Sequence, residues 1–465
     1  MASRRRCAFL LLALLPAVAA HAEDAPDAAR QAKVDAAKRA LAEDKKAFDG
    51  KVNEAIDKGV AWLRKRQRSA GNFPAYGDKL PANTYQPMDL GVNALVMLTL
   101  VKGGVPAEDK AIEKLKTWCL GNYANMKGLK NVLVYPASVL LMAFEAAYRE
   151  PGKDEGDVQR DRYGTTVTRK KTPCKYPAAI SALVDELAKF LVKNQVPKVG
   201  GWRYPGLSGG APAGDAEMSN TQYALLGLNA AARCGTSVPV DVWTKALEYV
   251  LKEQEKDGIP GDLWVENPAW EPGLDEVPQF LSGGKRKARG WRYTPDGPQT
   301  LTTGSMTTAG VACLAIVKER LGDAGKLTPE LSRRIDSAML DGLVWLSEAF
   351  SVDGNPTMPA GGAAWHLYYL YGLERVGALT GLPYVGKHAW YRKGAELLLS
   401  AQKPDGHWEG QVGTMGLTDE HESEIVQTCF ALLFLKRATT PPLVPLTPPE
   451  VTGAPDAAPV DTRGK

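Results

Sequence analysis

The chain of 465 residues is 44% apolar and 24% charged, the composition of an ordinary soluble protein with enough apolar residues for a large core. Its formal net charge is +4. Without Arg4, Arg5 and Arg6 the balance falls to about +1, which argues against nucleic acid and against a strongly acidic partner.

Residues 1–22 place those three arginines before a short apolar run, 7–20, that ends in Ala20-His21-Ala22. This is the pattern of a secretory signal peptide with an Ala-x-Ala cleavage site, and its apolar run is short for a transmembrane segment. It predicts a secreted or periplasmic protein with no transmembrane segment. Residues 23–47, rich in Ala, Lys and Glu, read as a helical spacer.

From 48 to 437 the chain alternates two kinds of helical segment. Segments 49–67, 110–120, 177–195, 240–256, 329–350 and 388–402 are amphipathic, with apolar residues at helical spacing. Each precedes a segment apolar nearly all round: 88–101, 135–148, 219–232, 305–317, 363–377 and 423–435. A helix apolar on every side must be buried on every side. Six buried helices ringed by six half-exposed ones predict an all-α (α/α)6 toroid, and no alternating strand pattern competes. Two charged, turn-rich insertions, 150–175 and 259–288, interrupt the alternation; each reads as a cover over a site or as a solvated excursion. Residues 438–465, rich in Pro, Ala and Thr, read as a disordered tail.

Of the six cysteines, Cys7 belongs to the signal segment. The five others are scattered, with no Cys-x-x-Cys pair, which argues against a disulfide framework or a zinc ribbon. Cys119, Cys234, Cys313 and Cys429 fall in apolar helical patterns and read as buried thiols.

Four of the amphipathic segments end at a glutamine followed by glycine and an aromatic residue. Gln67 leads to Gly71 and Phe73, Gln195 to Gly201 and Trp202, Gln402 to Gly406 and Trp408, and Gln254 reaches Gly290 and Trp291 across the second insertion. Glycine there fits a left-handed helix cap, the ring can cover the helix end, and the glutamine amide can bond to free backbone groups. The quartet Gly-Trp-Arg-Tyr, at 201–204 and again at 290–293, is therefore a joint between an outer and an inner helix.

This Gln-x-x-x-Gly-x-aromatic element resembles the QW repeat of the terpenoid cyclase and protein prenyltransferase superfamily, squalene–hopene cyclases especially, over roughly 49–437. The resemblance implies a toroid in which Trp202, Trp291 and Trp408 are structural. It also implies where an acid would stand. Squalene–hopene cyclases protonate an alkene with an Asp-x-Asp-Asp-Thr-Ala motif at the mouth of an inner helix, and the matching stretch here is GDAEMSNTQYALLGL. Matched from its first acid it keeps Asp215 and Glu217; matched through Thr221 it keeps Glu217 alone. A second reading makes Asp215 or Ser219 the cap of the helix that begins near Asn220. The Asp-x-Cys zinc pair of protein prenyltransferases is absent, and no two histidines stand at i, i+4, so neither metal nor cofactor is expected.

Inner-helix mouths supply the remaining candidates. Asn220 and Gln222 stand in the third pair, Trp365, His366 and Tyr369 in the fifth, Glu422 and Glu424 in the sixth, and Arg203 and Arg292 in the repeated joints. Acids, amides and aromatic rings at one mouth could bind a polar ligand or stack on a sugar. Core filling by Trp365 and Tyr369, and helix capping by Glu422 and Glu424, are the structural alternatives. Three functional classes follow: a non-enzymatic binding or scaffold module for a cavity ligand (terpenoid or glycan) or a protein partner, a terpenoid cyclase using Asp215 or Glu217, and a glycan lyase or hydrolase.

Overall fold

The computed structural model describes residues 24–73, 88–128, 133–149, 174–204, 216–274, 278–294, 301–358, 362–410, 424–439 and 446. The described residues form twelve helices and one two-stranded sheet. The chain divides into two compact units, 1–48 with 266–279, and 49–265 with 280–465.

The larger unit is an (α/α)6 toroid. Its inner helices are α2 (Asp89–Lys102), α4 (Val134–Tyr148), α6 (Met218–Arg233), α8 (Gly304–Asp323), α10 (His366–Thr380) and α12 (Glu424–Leu435). Each packs on the next, and α12 returns to α2, closing the ring. Burial follows the sequence pattern: every residue of α8 from Gly304 to Leu321 is buried. The outer helices are α1 (Asp24–Arg66), α3 (Lys110–Gly128), α5 (Ala178–Lys193), α7 (Val240–Glu253), α9 (Pro329–Glu348) and α11 (Trp390–Ala401). Most bury one stripe, as α5 does with Ile180, Leu183, Val184, Leu187, Ala188 and Leu191, whereas α9 is buried all round from Ala338 to Val344. No helix among the described residues is long and apolar enough to cross a membrane.

In the smaller unit, α1 begins at Asp24 and runs without a break through the stretch read as a spacer. Val34 is buried there, and Lys38 pairs with Glu271 at 3.0 Å.

The four joints share one hydrogen-bond scheme. Each glutamine amide nitrogen donates to a carbonyl of its own loop and to one of a neighbouring outer helix. Gln195 reaches Gly200 at 2.7 Å and Val242 at 2.9 Å, and Gln402 reaches Gly406 and Ala55, both at 2.9 Å. Gln67 bonds Gly71 and Ala111, and Gln254 bonds Arg289 and Ala338. Each indole nitrogen donates to the preceding outer helix: Trp202 to Leu191, Trp291 to Val250 and Trp408 to Leu398. The backbone N–H of each tryptophan donates to a threonine early in the next inner helix, Thr221, Thr307 or Thr428. All three indoles are at most 1% exposed.

Four expectations are corrected. The glycines do not cap the helices: α7 and α11 end at Gln254 and Gln402 in extended backbone. Gly200 and Gly406 instead turn the loop at φ of 91° and 108°. A Cβ at Gly200 would lie 2.3 Å from the Lys245 carbonyl oxygen, so the loop passes too close for any side chain. Cys234 is not a free thiol but is bonded to Cys174 across 60 residues, whereas Cys119, Cys313 and Cys429 are buried and free. The cap of α6 is not Ser219; Glu217 occupies that position and makes no side-chain cap bond among the described residues. The second insertion contains β1 (Ile259–Glu266) and β2 (Phe280–Ala288), which pair with each other. Pro260, the glycines Gly261, Gly283 and Gly284, and a Lys-Arg-Lys run break the alternation that would mark these strands. Ion pairs compensate: Arg286 and Arg289 both bind Asp341 of α9, so β2 lies against an outer helix.

Candidate functional site

Glu217 is buried at the amino end of α6, 8% exposed. Trp202 fixes its backbone, since the Glu217 N–H donates to the Trp202 carbonyl at 2.8 Å. Its carboxylate accepts from three donors. Tyr293 Oη donates to Oε2 at 2.6 Å, Ser219 Oγ to Oε1 at 2.8 Å, and Asn220 Nδ2 also to Oε1. Burial and the adjacent carboxylate push the Tyr293 phenol above its ordinary value, which keeps it a donor. Tyr204 lies beside Glu217 and Asn220. The last letters of both Gly-Trp-Arg-Tyr quartets thus converge on one acid.

From this acid a run of aromatic rings crosses the inner helices. Tyr204 stacks on Tyr135 of α4, Tyr135 lies 4.5 Å from Tyr223 of α6, and Tyr223 stacks on Tyr368 of α10 at 6.2 Å. Tyr368 donates to Gln222 Oε1 at 3.0 Å and meets the edges of Trp365 and Phe430. Below these rings lies Arg375, 1% exposed. Its guanidinium sits over Tyr371 at 4.0 Å and Tyr223 at 5.3 Å. Nη2 reaches the Tyr223 hydroxyl at 3.5 Å; Nε and Nη1 make no hydrogen bond among the described residues.

The structure thus brings together Glu217, Asn220, Gln222 and Trp365 of the sequence candidates. Tyr369 and His366 face elsewhere: Tyr369 Oη donates to the Ser351 carbonyl at 3.0 Å, and His366 Nε2 lies 2.7 Å from that of Val352. Trp365 takes left-handed backbone at φ 61° as α10 begins. Arg203 and Arg292 are half-buried at their joints, and Arg292 forms a backbone bridge with Thr302. Glu424 opens α12 and pairs with Arg66 at 3.6 Å. Asp215 and Glu422 lie outside the described residues. Tyr135, Tyr204, Tyr223, Tyr293 and Arg375 were not singled out from sequence. Only the two quartet tyrosines carried a signal, because the joint itself needs neither the Arg nor the Tyr that follows its Trp.

No protein-family model matches the chain, and no curated protein matches it. Among solved structures, the chain is similar to the type II terpene cyclase MstE of Scytonema in complex with geranylgeranyl dihydroxybenzoate, at 10% identity and TM-score 0.44, over 84% of this chain and 99% of that one. It is also similar to an inactive α-1,6-mannanase variant of Salegentibacter sp. HEL1_6 in complex with α-1,6-mannotriose, at 12% identity and TM-score 0.47, over 83% and 99%. A family 76 glycoside hydrolase from a bovine Bacteroides thetaiotaomicron strain is similar at 10% identity and TM-score 0.41, over 82% and 77%.

Next to Arg375 on α10, Glu374 is fully buried and accepts from Thr439, from its N–H at 3.0 Å and its hydroxyl at 2.7 Å. Desolvation pushes this carboxyl up to about 7.

Proposed function

We propose that the toroid is a non-enzymatic binding module whose ligand stacks on the tyrosine run and carries an anionic group that pairs with Arg375. The observation that carries this reading is the guanidinium itself. A buried charge with two unpaired N–H groups costs stability unless something it binds offsets that cost. Tyr223 and Tyr371 supply ring faces and hydroxyl contacts, and the adjacent Glu374 carboxylate supplies charge, yet Nε and Nη1 still lack hydrogen-bond partners among the described residues. Glu217 suits the same role, because its three donors hold it as an acceptor that orders Tyr293 and Asn220. The signal-like pattern of residues 1–22 and the Cys174–Cys234 disulfide support export to an oxidising compartment.

The test is calorimetric titration with an oligogalacturonide against its neutral methyl ester, and with an aromatic carboxylate against the matching amide. Binding of at least one acid, lost in its neutral form and in Arg375→Met, is the expected result. No binding of either acid, or binding unchanged in Arg375→Met, would overturn the reading.

Glycan cleavage is the second reading, supported by the 2.6 Å contact of Tyr293 with Glu217, which sets a phenol against a carboxylate as an acid–base pair. Turnover of the oligogalacturonide that is lost in Tyr293→Phe would establish it.

A further inference from the structure

The sixth joint departs from the other three at places the joint does not need. Counted from the aromatic residue, the preceding positions hold Ala70, Gly71 and Asn72 before Phe73, Val199, Gly200 and Gly201 before Trp202, and Ala288, Arg289 and Gly290 before Trp291. Before Trp408 they hold Asp405, Gly406 and His407, and Glu409 follows where the other tryptophans are followed by Arg203 and Arg292. The shared hydrogen-bond scheme is intact in all four joints, so Asp405, His407 and Glu409 answer to something else.

These side chains are ordered around the His407 ring. The ring is 8% exposed and stacks on Trp62 of α1 at 5.0 Å between centroids. Its Nδ1 lies 2.5 Å from Asp405 Oδ1, and Trp62 Nε1 donates to Asp405 Oδ2 at 3.1 Å. A carboxylate can only accept, so the proton of this contact belongs to Nδ1. Nε2 is left buried and makes no hydrogen bond among the described residues. The nearest acid oxygen, Glu409 Oε1, is 3.6 Å away, too far for a hydrogen bond. Yet Nε2, a Glu409 oxygen and a Glu424 oxygen all lie within 4.8 Å of one another. A ring nitrogen facing two carboxylates calls for positive charge between them, supplied either by a proton on Nε2 or by a metal cation.

We propose that His407 Nε2, Glu409 and Glu424 bind one divalent transition-metal cation of the zinc class. One imidazole and two carboxylates are a borderline ligand set that favours zinc over calcium or magnesium, whose sites are built from oxygen alone. The Asp405 carboxylate behind Nδ1 is the outer-shell partner that metal-bound histidines have, and it sets the tautomer that metal binding needs. Glu409 and Glu424 are half-exposed at 50% and 45%, so rotation of their side chains can bring the oxygens to the usual distance of roughly 2.0–2.2 Å. Each already pairs with a cation, Glu409 with Lys403 at 2.6 Å and Glu424 with Arg66 at 3.6 Å. A divalent ion would displace these exposed pairs, which are individually weak.

The experiment uses the full chain, stripped with chelator and titrated with Zn2+, Co2+ and Mg2+. One equivalent of Zn2+ should bind, Co2+ should give the visible absorption bands of a nitrogen–oxygen site, and Mg2+ at the same concentrations should not bind. Glu409→Gln and Glu424→Gln change exposed side chains and leave the fold intact; each should weaken Zn2+ binding at least tenfold. Asp405→Asn should weaken it by about 10–100-fold, the range for an outer-shell partner. His407→Ala should abolish it, with circular dichroism confirming that the helices persist. Absence of Zn2+ binding by the unsubstituted protein would overturn the proposal. So would one-equivalent binding that Glu409→Gln and Glu424→Gln leave unchanged.

Discussion

The hydroxyl of Tyr293 meets the carboxylate of Glu217 at 2.6 Å across 76 residues of sequence. The contact ties the joint before α8 to the start of α6, and it makes the acid an acceptor. Glu217→Gln keeps the shape and exchanges one acceptor oxygen for a donor group facing donors. It should leave the helical circular dichroism unchanged while weakening ligand binding by about tenfold or more, the scale of a hydrogen bond to a charged group. The unsubstituted protein should form no cyclised product from squalene. Product that disappears in Glu217→Gln would instead identify a cyclase.

Trp202→Ala and Trp291→Ala remove fully buried indoles and their hydrogen bonds to Leu191 and Val250. Each should cost roughly 3 kcal/mol or more in denaturant unfolding, the scale for deleting a buried aromatic side chain. An unchanged midpoint accompanied by lost ligand binding would show that the quartet is a recognition element and not a joint.

Glu374 provides a pH signature. Its carboxyl stands at about 7 in the folded protein against an ordinary value of 4.5, because burial outweighs the help of Thr439, Arg375 and Lys102. A raised folded value means that its contribution is complete below about pH 4.5 and is lost as pH rises through 7. Stability relative to Glu374→Gln should fall by roughly 3 kcal/mol between those limits, at about 1.4 kcal/mol for each unit. A difference that stays flat from pH 4.5 to 8 would contradict the assignment.

Reduction of the Cys174–Cys234 disulfide should lower the melting temperature. The bond closes a separation of 60 residues, for which loop-closure entropy gives about 4 kcal/mol. Cys119, Cys313 and Cys429 are buried, and burial pushes the first and last up to about 12, so they should resist alkylation until the protein unfolds. Labelling of Cys119, Cys313 or Cys429 in the folded, reduced protein would sink this expectation.

The ring was legible because its signals are local. An inner helix such as α8 must be apolar on every face, and a joint must carry its Gln, Gly and aromatic residue at fixed spacing. The role of Thr221, Thr307 and Thr428 in taking the tryptophan N–H groups was not legible, because threonine in an apolar helix carries no periodic signal of its own. The site was less legible. Tyr135, Tyr223, Tyr368 and Arg375 stand on three different helices, and only packing makes them neighbours. Tyr204 and Tyr293 were visible as a repeat, but a repeat announces recurrence without saying what the recurring residue touches. The pairing of Cys174 with Cys234 was hidden for the same reason, since its partners lie in an insertion and at the end of α6.

Closure of α12 onto α2 leaves this array without a first or last member. Open stacks of repeats tolerate the gain or loss of a unit, since each unit touches only its neighbours and the ends are capped by polar faces. A closed circle has no such freedom. Deleting one pair would bare apolar flanks on both sides of the gap, and inserting one would force every inner-helix crossing away from its packed angle. Unequal recombination among these repeats is therefore lethal to the fold, and six is a number that drift cannot change by single steps. What can diverge is the chain between the helices, which is where the insertions, the quartets and the histidine of the sixth joint are found.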